Sequence, residues 1–364
     1  MTTLRLIPGS PPAVLSALRG VLDGSGEPFA PLPADPALAE RVRRVARADV
    51  PLESGAVMLP TSGSSGEPKG VLLSREALIA SATATHARLG GPGQWLLMMP
   101  AYFVGGLQVL TRSLLAGVDP VIADGADFAE QAGAMTGEQR YTSMVPTQLA
   151  RLLETDVPAL RSFDAILIGA AATSNELRAK AEAAGVKVVT TYGMTETGGG
   201  CVYDGRPLDG VTVDLDNDRV VLGGPTLFDG YRLEPGLTAQ ALDGKKFRTQ
   251  DRGRCTEDGR LEILGRIDDV VISGGVNVVL PSVQQRLLTH AGITDAVVLG
   301  VPDEEWGSRV VAFVIGTAGL DELRDHVAAQ LPRTWAPREL IRLEELPMLA
   351  SGKVDRQRLL ELAQ

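Results

Sequence analysis

Between residues 74 and 190, five short and almost wholly apolar runs alternate with four helical segments, and this alternation constrains the fold most. The runs are "WLLMMP" (95–100), "DPVIA" (119–123), "YTSMV" (141–145), "DAILIG" (164–169) and "VKVVT" (186–190); helices are expected over 74–89, 105–116, 146–154 and 174–184. A strand that is apolar at nearly every position is buried on both faces. Helices between such strands supply the cover, so the pattern predicts an α/β fold with a parallel sheet between helical layers.

The texture on either side differs. The first fifty residues are Pro- and Ala-rich, with weak periodicity that predicts little. From Cys201 to Leu264, Gly, Pro and Asp recur between short strands such as "RVVLGG" and "RLEIL", which suggests a small antiparallel or barrel-like β subdomain. The last 95 or so residues read as a compact α+β unit. Its helices are expected near 282–290, 321–330 and 355–362, with strands at "DAVVLGV" and "RVVAFVIG".

Bulk composition excludes several classes. A net charge of −10 disfavours nucleic acid, whose partners usually present a basic surface. Cys201 and Cys255 are the only cysteines, too few for a disulfide framework or a Cys-rich metal site. The start "MTTLRLIPGSPPAV" lacks the apolar core of a secretory signal, and no apolar run reaches membrane-spanning length. The expectation is a soluble cytoplasmic protein; its oligomeric state, a homo-oligomer included, stays open.

The stretch "TSGSSGEPKG" (61–70) lies between two apolar runs. Gly63, Gly66 and Gly70 let the backbone approach a ligand and adopt positive φ. Thr61, Ser62, Ser64 and Ser65 can donate hydrogen bonds, and Lys69 adds a positive charge. The set suits a polyphosphate, although a solvated Gly/Ser loop has the same composition. Its spacing is not that of a Walker A loop, because Pro68 precedes Lys69 and Gly70 follows it; nor does a G-x-G-x-x-G open a helix here.

Four further segments follow in order. They are "TYGMTETGGG" (191–200), "RTQD" ending on Asp251, "LGRIDDVVISGG" with Arg266 and Asp268, and "PMLASGKVDR" with Lys353. The five motifs, spanning Val57 to Arg356, resemble the adenylate-forming superfamily of acyl-CoA synthetases, luciferases and peptide-synthetase adenylation domains. The resemblance implies an enzyme that uses ATP and Mg²⁺ to convert a carboxylate into an acyl-adenylate. A thiol, such as that of coenzyme A, then takes the acyl group and AMP leaves. It also implies a large N-terminal domain over 1–266 that binds ATP and the acid, a hinge at 267–268, and a small C-terminal domain over 269–364.

Roles carry over by position. The resemblance implies that Thr61, Ser62, Gly63, Ser64, Ser65, Gly66 and Lys69 hold the β- and γ-phosphates. Thr195 would bond the α-phosphate, and Glu196 would bind Mg²⁺. Tyr192, followed by Gly193, would stack on adenine beside Gly169, Ala170 and Ala171, whose small side chains leave room for a flat base. Asp251 would accept from the ribose hydroxyls, although Gln250 stands where the family usually has Gly; Arg266 would reach the ribose or phosphate. Lys353 would bridge the carboxylate and the α-phosphate in the first half-reaction, Asp268 would be the pivot, and Gly274 and Gly275 would line the thiol channel.

Within the superfamily, "PAYFVGGLQVLTRSLLAG" and "YGMTETGGGCVYDGRPLDGV" resemble o-succinylbenzoate–CoA ligases of menaquinone synthesis, in a form lacking much of the usual N-terminal subdomain. Phe103 stands where many members place His. Gly198, Gly199 and Gly200 would clear space for the aromatic ring. The helix containing Arg112 is apolar on nearly every face, so its guanidinium requires a partner. Either Arg112 forms a structural ion pair or snorkels to solvent, or its partner is the second carboxylate of the substrate. Other aryl or short-chain acyl-CoA ligases, an adenylation enzyme loading a carrier protein, and a non-catalytic nucleotide sensor are the competing readings. The pairing of Lys353 with Glu196 argues against the sensor.

Overall fold

The computed structural model describes residues 2–62, 68–123, 127–349 and 354–363, with Ser62 described by its backbone alone. The chain forms two compact units. One comprises Met1–Asp214, Val221–Arg248 and Cys255–Leu261; the other comprises Leu215–Val220, Thr249–Arg254 and Glu262–Gln364.

The expected parallel sheet is the centre of the first unit. Its strands run in the spatial order Arg206–Pro207, Gly199–Tyr203, Val188–Met194, Ala165–Ile168, Arg140–Met144, Gln94–Leu97 and Val121–Ile122. The five from Val188–Met194 to Val121–Ile122 are parallel, with Leu97, Ser143, Leu167 and Val189 on one rung. Gln94–Leu97 and Ala165–Ile168 are buried throughout, as two-sided cover requires. Helices Arg75–Leu89, Val104–Ala116, Pro146–Thr155 and Asn175–Ala183 match the sequence pattern. Ser74 and Ser174 begin two of them by accepting hydrogen bonds from the N–H groups of Ala77 and Leu177.

A second sheet incorporates the N-terminal region that periodicity did not resolve. Arg5–Pro8, Phe29–Leu32, Val57–Ser62, Pro68–Leu73 and Gly230–Tyr231 lie side by side in that order. The first three are parallel; Val57–Ser62 and Pro68–Leu73 form an antiparallel hairpin, and Gly230–Tyr231 adds antiparallel to Pro68–Leu73. Its two strands flank the Gly/Ser stretch in sequence.

The expected β subdomain is a sheet in the order Thr212–Asp216, Arg219–Gly223, Lys246–Cys255, Leu242–Asp243, with Leu261–Arg266 beside Lys246–Cys255. In the second unit, Val276–Val279, Val270–Ser273, Gly307–Gly316 and Ile293–Asp303 form a further sheet, and Glu339–Arg342 pairs parallel to Gly307–Gly316. Strand periodicity divides its core. Val310, Ala312 and Val314 pack with Val283 and Leu287 of helix Leu280–Leu288, whereas Val311 and Phe313 pack on the opposite face with Leu359 of helix Arg356–Leu362.

Candidate functional site

In the first unit, the predicted adenine residues and Thr195–Glu196 lie at the carboxyl ends of two adjacent parallel strands. Gly169–Ala171 follow Ala165–Ile168, and Tyr192–Glu196 finish and follow its neighbour Val188–Met194. Ligands of open α/β sheets bind at this edge. Every residue of Val188–Met194 is half-buried despite its interior place in the sheet, so that edge is open. Ala170 holds φ of 67°, a left-handed conformation that a residue with a Cβ adopts only under constraint. A Cβ on Gly169 would come within 2.5 Å of Thr191 Oγ1, so only glycine fits against that hydroxyl.

The segment after the strand is a 3₁₀ turn, Thr195–Thr197. The Thr197 hydroxyl accepts from the Met194 N–H at 2.9 Å and lies 2.7 Å from the Gly199 carbonyl, fixing the turn from inside. Glu196 is held twice by one distant segment. Its carbonyl accepts from the Phe228 N–H at 2.9 Å, and its Oε1 accepts from the Tyr231 hydroxyl at 3.0 Å. Burial and the Glu196 carboxylate push the Tyr231 phenol well above its ordinary pKa, so it remains a donor.

At the base of the Gly/Ser loop, Thr61 pairs with Lys69 and Ser62 with Pro68. Gly63, Ser64, Ser65 and Gly66 lie outside the described residues. Lys69 Nζ stands 5.4 Å from the centroid of the Tyr231 ring. Gly70 departs from expectation: it lies within strand Pro68–Leu73, not in the loop. A Cβ there would meet Met58 Sδ and Val45 Cγ1 at 2.8 Å, so its small size serves packing.

Gly198 and Gly199 close the 3₁₀ turn with φ of 62° and 102°. A Cβ on Gly199 would sit 3.4 Å from Gln108 Cγ and 3.7 Å from Val104 Cγ2, on the helix that carries Arg112. Arg112 is 3% exposed, and no carboxylate forms an ion pair with it among the described residues. Its guanidinium lies over the Trp95 ring with Cζ 4.8 Å from the centroid, and Nη2 donates to the Tyr203 hydroxyl at 3.4 Å. Arg112 Nε and both amide atoms of Gln108 are buried without a hydrogen-bond partner among the described residues. Burial lowers the pKa of Arg112, and burial together with the Arg112 charge pulls His86 down to about 4. Sequence reasoning passed over Gln108, one turn before Arg112; its one signal was an amide on an otherwise apolar helix.

The second unit carries the remaining described residues. Asp251 Oδ1 forms a loose ion pair with Arg266 Nη1 at 3.9 Å, and the Asp251 N–H donates to Thr249 Oγ1 at 3.0 Å. Arg266 grips Asp268 with two bonds, Nε–Oδ1 at 2.7 Å and Nη2–Oδ2 at 2.8 Å, and this pairing raises its pKa. Asp269 pairs with Arg356 at 2.7 Å, so both acids of the 3₁₀ turn Ile267–Asp269 are engaged. Gly274 and Gly275 form the two-residue turn between Val270–Ser273 and Val276–Val279, with φ of 58° and 78° that other residues resist. A Cβ on Gly274 would strike the Trp306 ring at 2.7 Å, whereas one on Gly275 would meet open space. Lys353 lies outside the described residues.

The profile of the AMP-binding enzymes matches residues 14–231, and that of the AMP-binding enzyme C-terminal domain matches residues 282–353. The chain belongs to the AMP-binding enzymes. Among relatives of this AMP-binding enzyme is a protein of Mycobacterium tuberculosis named "Probable 2-succinylbenzoate--CoA ligase", 42% identical over 98% of this chain and 97% of that one. The 2-succinylbenzoate–CoA ligase of Bacillus cereus is 31% identical over 86% of this chain and 71% of its own length. In fold, the chain is similar to o-succinylbenzoate–CoA synthetase of Bacillus subtilis in complex with its acyl-adenylate intermediate. That match has a TM-score of 0.75 and 24% identity, and covers 95% of this chain and 81% of the other. No helix among the described residues is long and apolar enough to cross a membrane.

Proposed function

We propose that this AMP-binding enzyme is an acid–thiol ligase that adenylates o-succinylbenzoate with ATP and transfers the acyl group to coenzyme A. The products are succinylbenzoyl-CoA, AMP and pyrophosphate, and the reaction belongs to menaquinone synthesis in the cytoplasm. One observation favours this acid. A buried guanidinium with no carboxylate partner among the described residues lies on the helix against which Gly199 packs, one turn from the Gln108 amide, which likewise has no partner among them. An aromatic acid with a second carboxylate supplies what Arg112 lacks, since a planar guanidinium grips a carboxylate through paired hydrogen bonds. The space beside Gly198 and Gly199 is taken by protein, since a Cβ there would meet Thr226 O at 3.2 Å and Gln108 Cγ at 3.4 Å, so these glycines serve close packing of the turn against its neighbours.

The mechanism requires the attacking carboxylate and the α-phosphate, both negative, to be brought together. Thr61, Ser62, Gly63, Ser64, Ser65, Gly66 and Lys69 hold the β- and γ-phosphates; Thr195 donates to the α-phosphate. Tyr192 and Gly193 cover one face of adenine beside Gly169, Ala170 and Ala171, and Asp251 and Arg266 orient the ribose. Lys353 stabilises the charge that develops as the acyl oxygen bonds phosphorus and pyrophosphate leaves. Among the described residues no group of three His, Cys, Asp or Glu side chains could cage a metal ion. A lone carboxylate fits Mg²⁺, which takes one or two protein carboxylates and completes its shell with phosphate oxygens and water. Glu196 would hold it, and the ion would neutralise phosphate charge. Asp268 is the pivot about which the small domain, 269–364, turns before the thiol attacks along Gly274 and Gly275.

The test is pyrophosphate release across a panel of aryl and short-chain acids, with and without CoA. Release that depends on o-succinylbenzoate, with thioester formed when CoA is added, is expected. Release with a simpler acid alone assigns a generic acyl-CoA ligase. Adenylation without CoA turnover assigns a carrier-protein enzyme.

A further inference from the structure

The segment Phe228–Tyr231 belongs to none of the motifs that define the site, yet it touches three of its parts. Gly230 and Tyr231 pair with Leu72 and Val71, adding a strand to the hairpin whose strands flank the Gly/Ser stretch. The Phe228 N–H donates to the Glu196 carbonyl at 2.9 Å, and the Tyr231 hydroxyl donates to Glu196 Oε1 at 3.0 Å. The Tyr231 ring lies 5.4 Å from Lys69 Nζ. The ring is itself fixed, stacked edge-on against Phe228 at 4.9 Å, and its backbone N–H donates to Thr238 Oγ1 at 2.9 Å.

We infer that Tyr231 is a positioning residue that sets the Glu196 carboxylate for the metal–phosphate end of ATP and keeps Lys69 in register with it. A carboxylate has two oxygens and rotates freely about its terminal bond unless one oxygen is held. The phenol holds Oε1 and thereby directs Oε2, while the ring face offers the ammonium an attractive surface that is not a competing anion. Removing the hydroxyl alone releases Glu196 Oε1 from this bond and leaves the ring beside Lys69 in place. Outer-shell partners of this kind typically change metal affinity by ten- to a hundredfold when removed.

This inference rests on the reading of Glu196 as the carboxylate for Mg²⁺, and the experiment separates the two. Calorimetric titration measures the affinity of the intact enzyme for ATP with and without Mg²⁺, and pyrophosphate release is followed as Mg²⁺ is varied. Tyr231→Phe keeps the ring and removes the hydroxyl. It should weaken MgATP binding about tenfold or more and raise the Mg²⁺ requirement equally, with metal-free ATP binding unchanged. Thr238→Val disturbs the same strand but leaves the phenol, and should change none of these values. Equal effects of Tyr231→Phe and Thr238→Val, or no effect of Tyr231→Phe where Glu196→Gln is impaired, would overturn the positioning role alone. A Glu196→Gln variant with unaltered Mg²⁺ dependence would overturn the reading of Glu196 and the inference with it.

Discussion

Replacing Arg112 with Met should separate function from stability in opposite directions. The guanidinium is 3% exposed, has one long hydrogen bond to Tyr203, stacks on Trp95 and leaves Nε without a partner among the described residues. A buried polar group left unsatisfied costs about 1–3 kcal/mol. The stacking returns up to ~2 kcal/mol. Exchanging a buried charge for an apolar side chain of similar length is often neutral or stabilising by about 1–4 kcal/mol. The free enzyme should therefore hold or gain stability on Arg112→Met. Substrate recognition should move the other way, because a charge-assisted pair contributes about 1.5–3 kcal/mol, or roughly ten- to a hundredfold in kcat/KM. Two assays decide: urea unfolding, and the kcat/KM ratio between o-succinylbenzoate and its analogue without the ring carboxylate. The expected result is an unchanged or higher midpoint with a ratio reduced ten- to a hundredfold. An unfolding free energy that falls by several kcal/mol, with both acids losing equally, would show that Arg112 is scaffold and would remove the physical basis for the dicarboxylic substrate.

Three further outcomes are expected. Lys353→Ala should abolish acid-dependent pyrophosphate release and largely spare thioester formation from preformed acyl-adenylate; equal losses in the two assays would assign Lys353 a shared or structural role. Arg232 donates to the carbonyls of Ala46, Arg47, Val50 and Pro51 and is 4% exposed, so Arg232→Ala should cost about 3 kcal/mol or more. A melting temperature within a degree of the parent would refute that. His86 is buried, its Nε2 has no partner among the described residues, and its pKa is pulled from 6.5 to about 4, so the unfolded chain binds the extra proton between those values. Stability should thus be full above pH 6.5 and fall by up to ~3 kcal/mol as pH drops toward 4, and His86→Gln should flatten that part of the unfolding-midpoint profile.

What the sequence determined alone was whatever depends on near neighbours along the chain. Strands Gln94–Leu97 and Ala165–Ile168 were legible because burial on both faces writes itself as an unbroken apolar run. The Gly274–Gly275 turn was legible as a glycine pair, although only its φ values and the Trp306 ring show why no other residue fits at Gly274. Four-residue strands such as Arg5–Pro8 and Phe29–Leu32 were not legible, because they are too short to show a period and two of their positions are proline. Tertiary structure alone decided which distant groups meet. Tyr231 reaches Glu196 across 35 residues of chain, and Arg232 reaches Ala46 across 186. Neither residue type nor local pattern distinguishes such a tyrosine or arginine from an ordinary core or surface residue, since the meeting is produced by strand order in a sheet. The same holds for Arg112. Its helix announced a buried charge, but only packing against Trp95 and Tyr203 showed that no carboxylate of the chain neutralises it among the described residues, which leaves that task to a ligand.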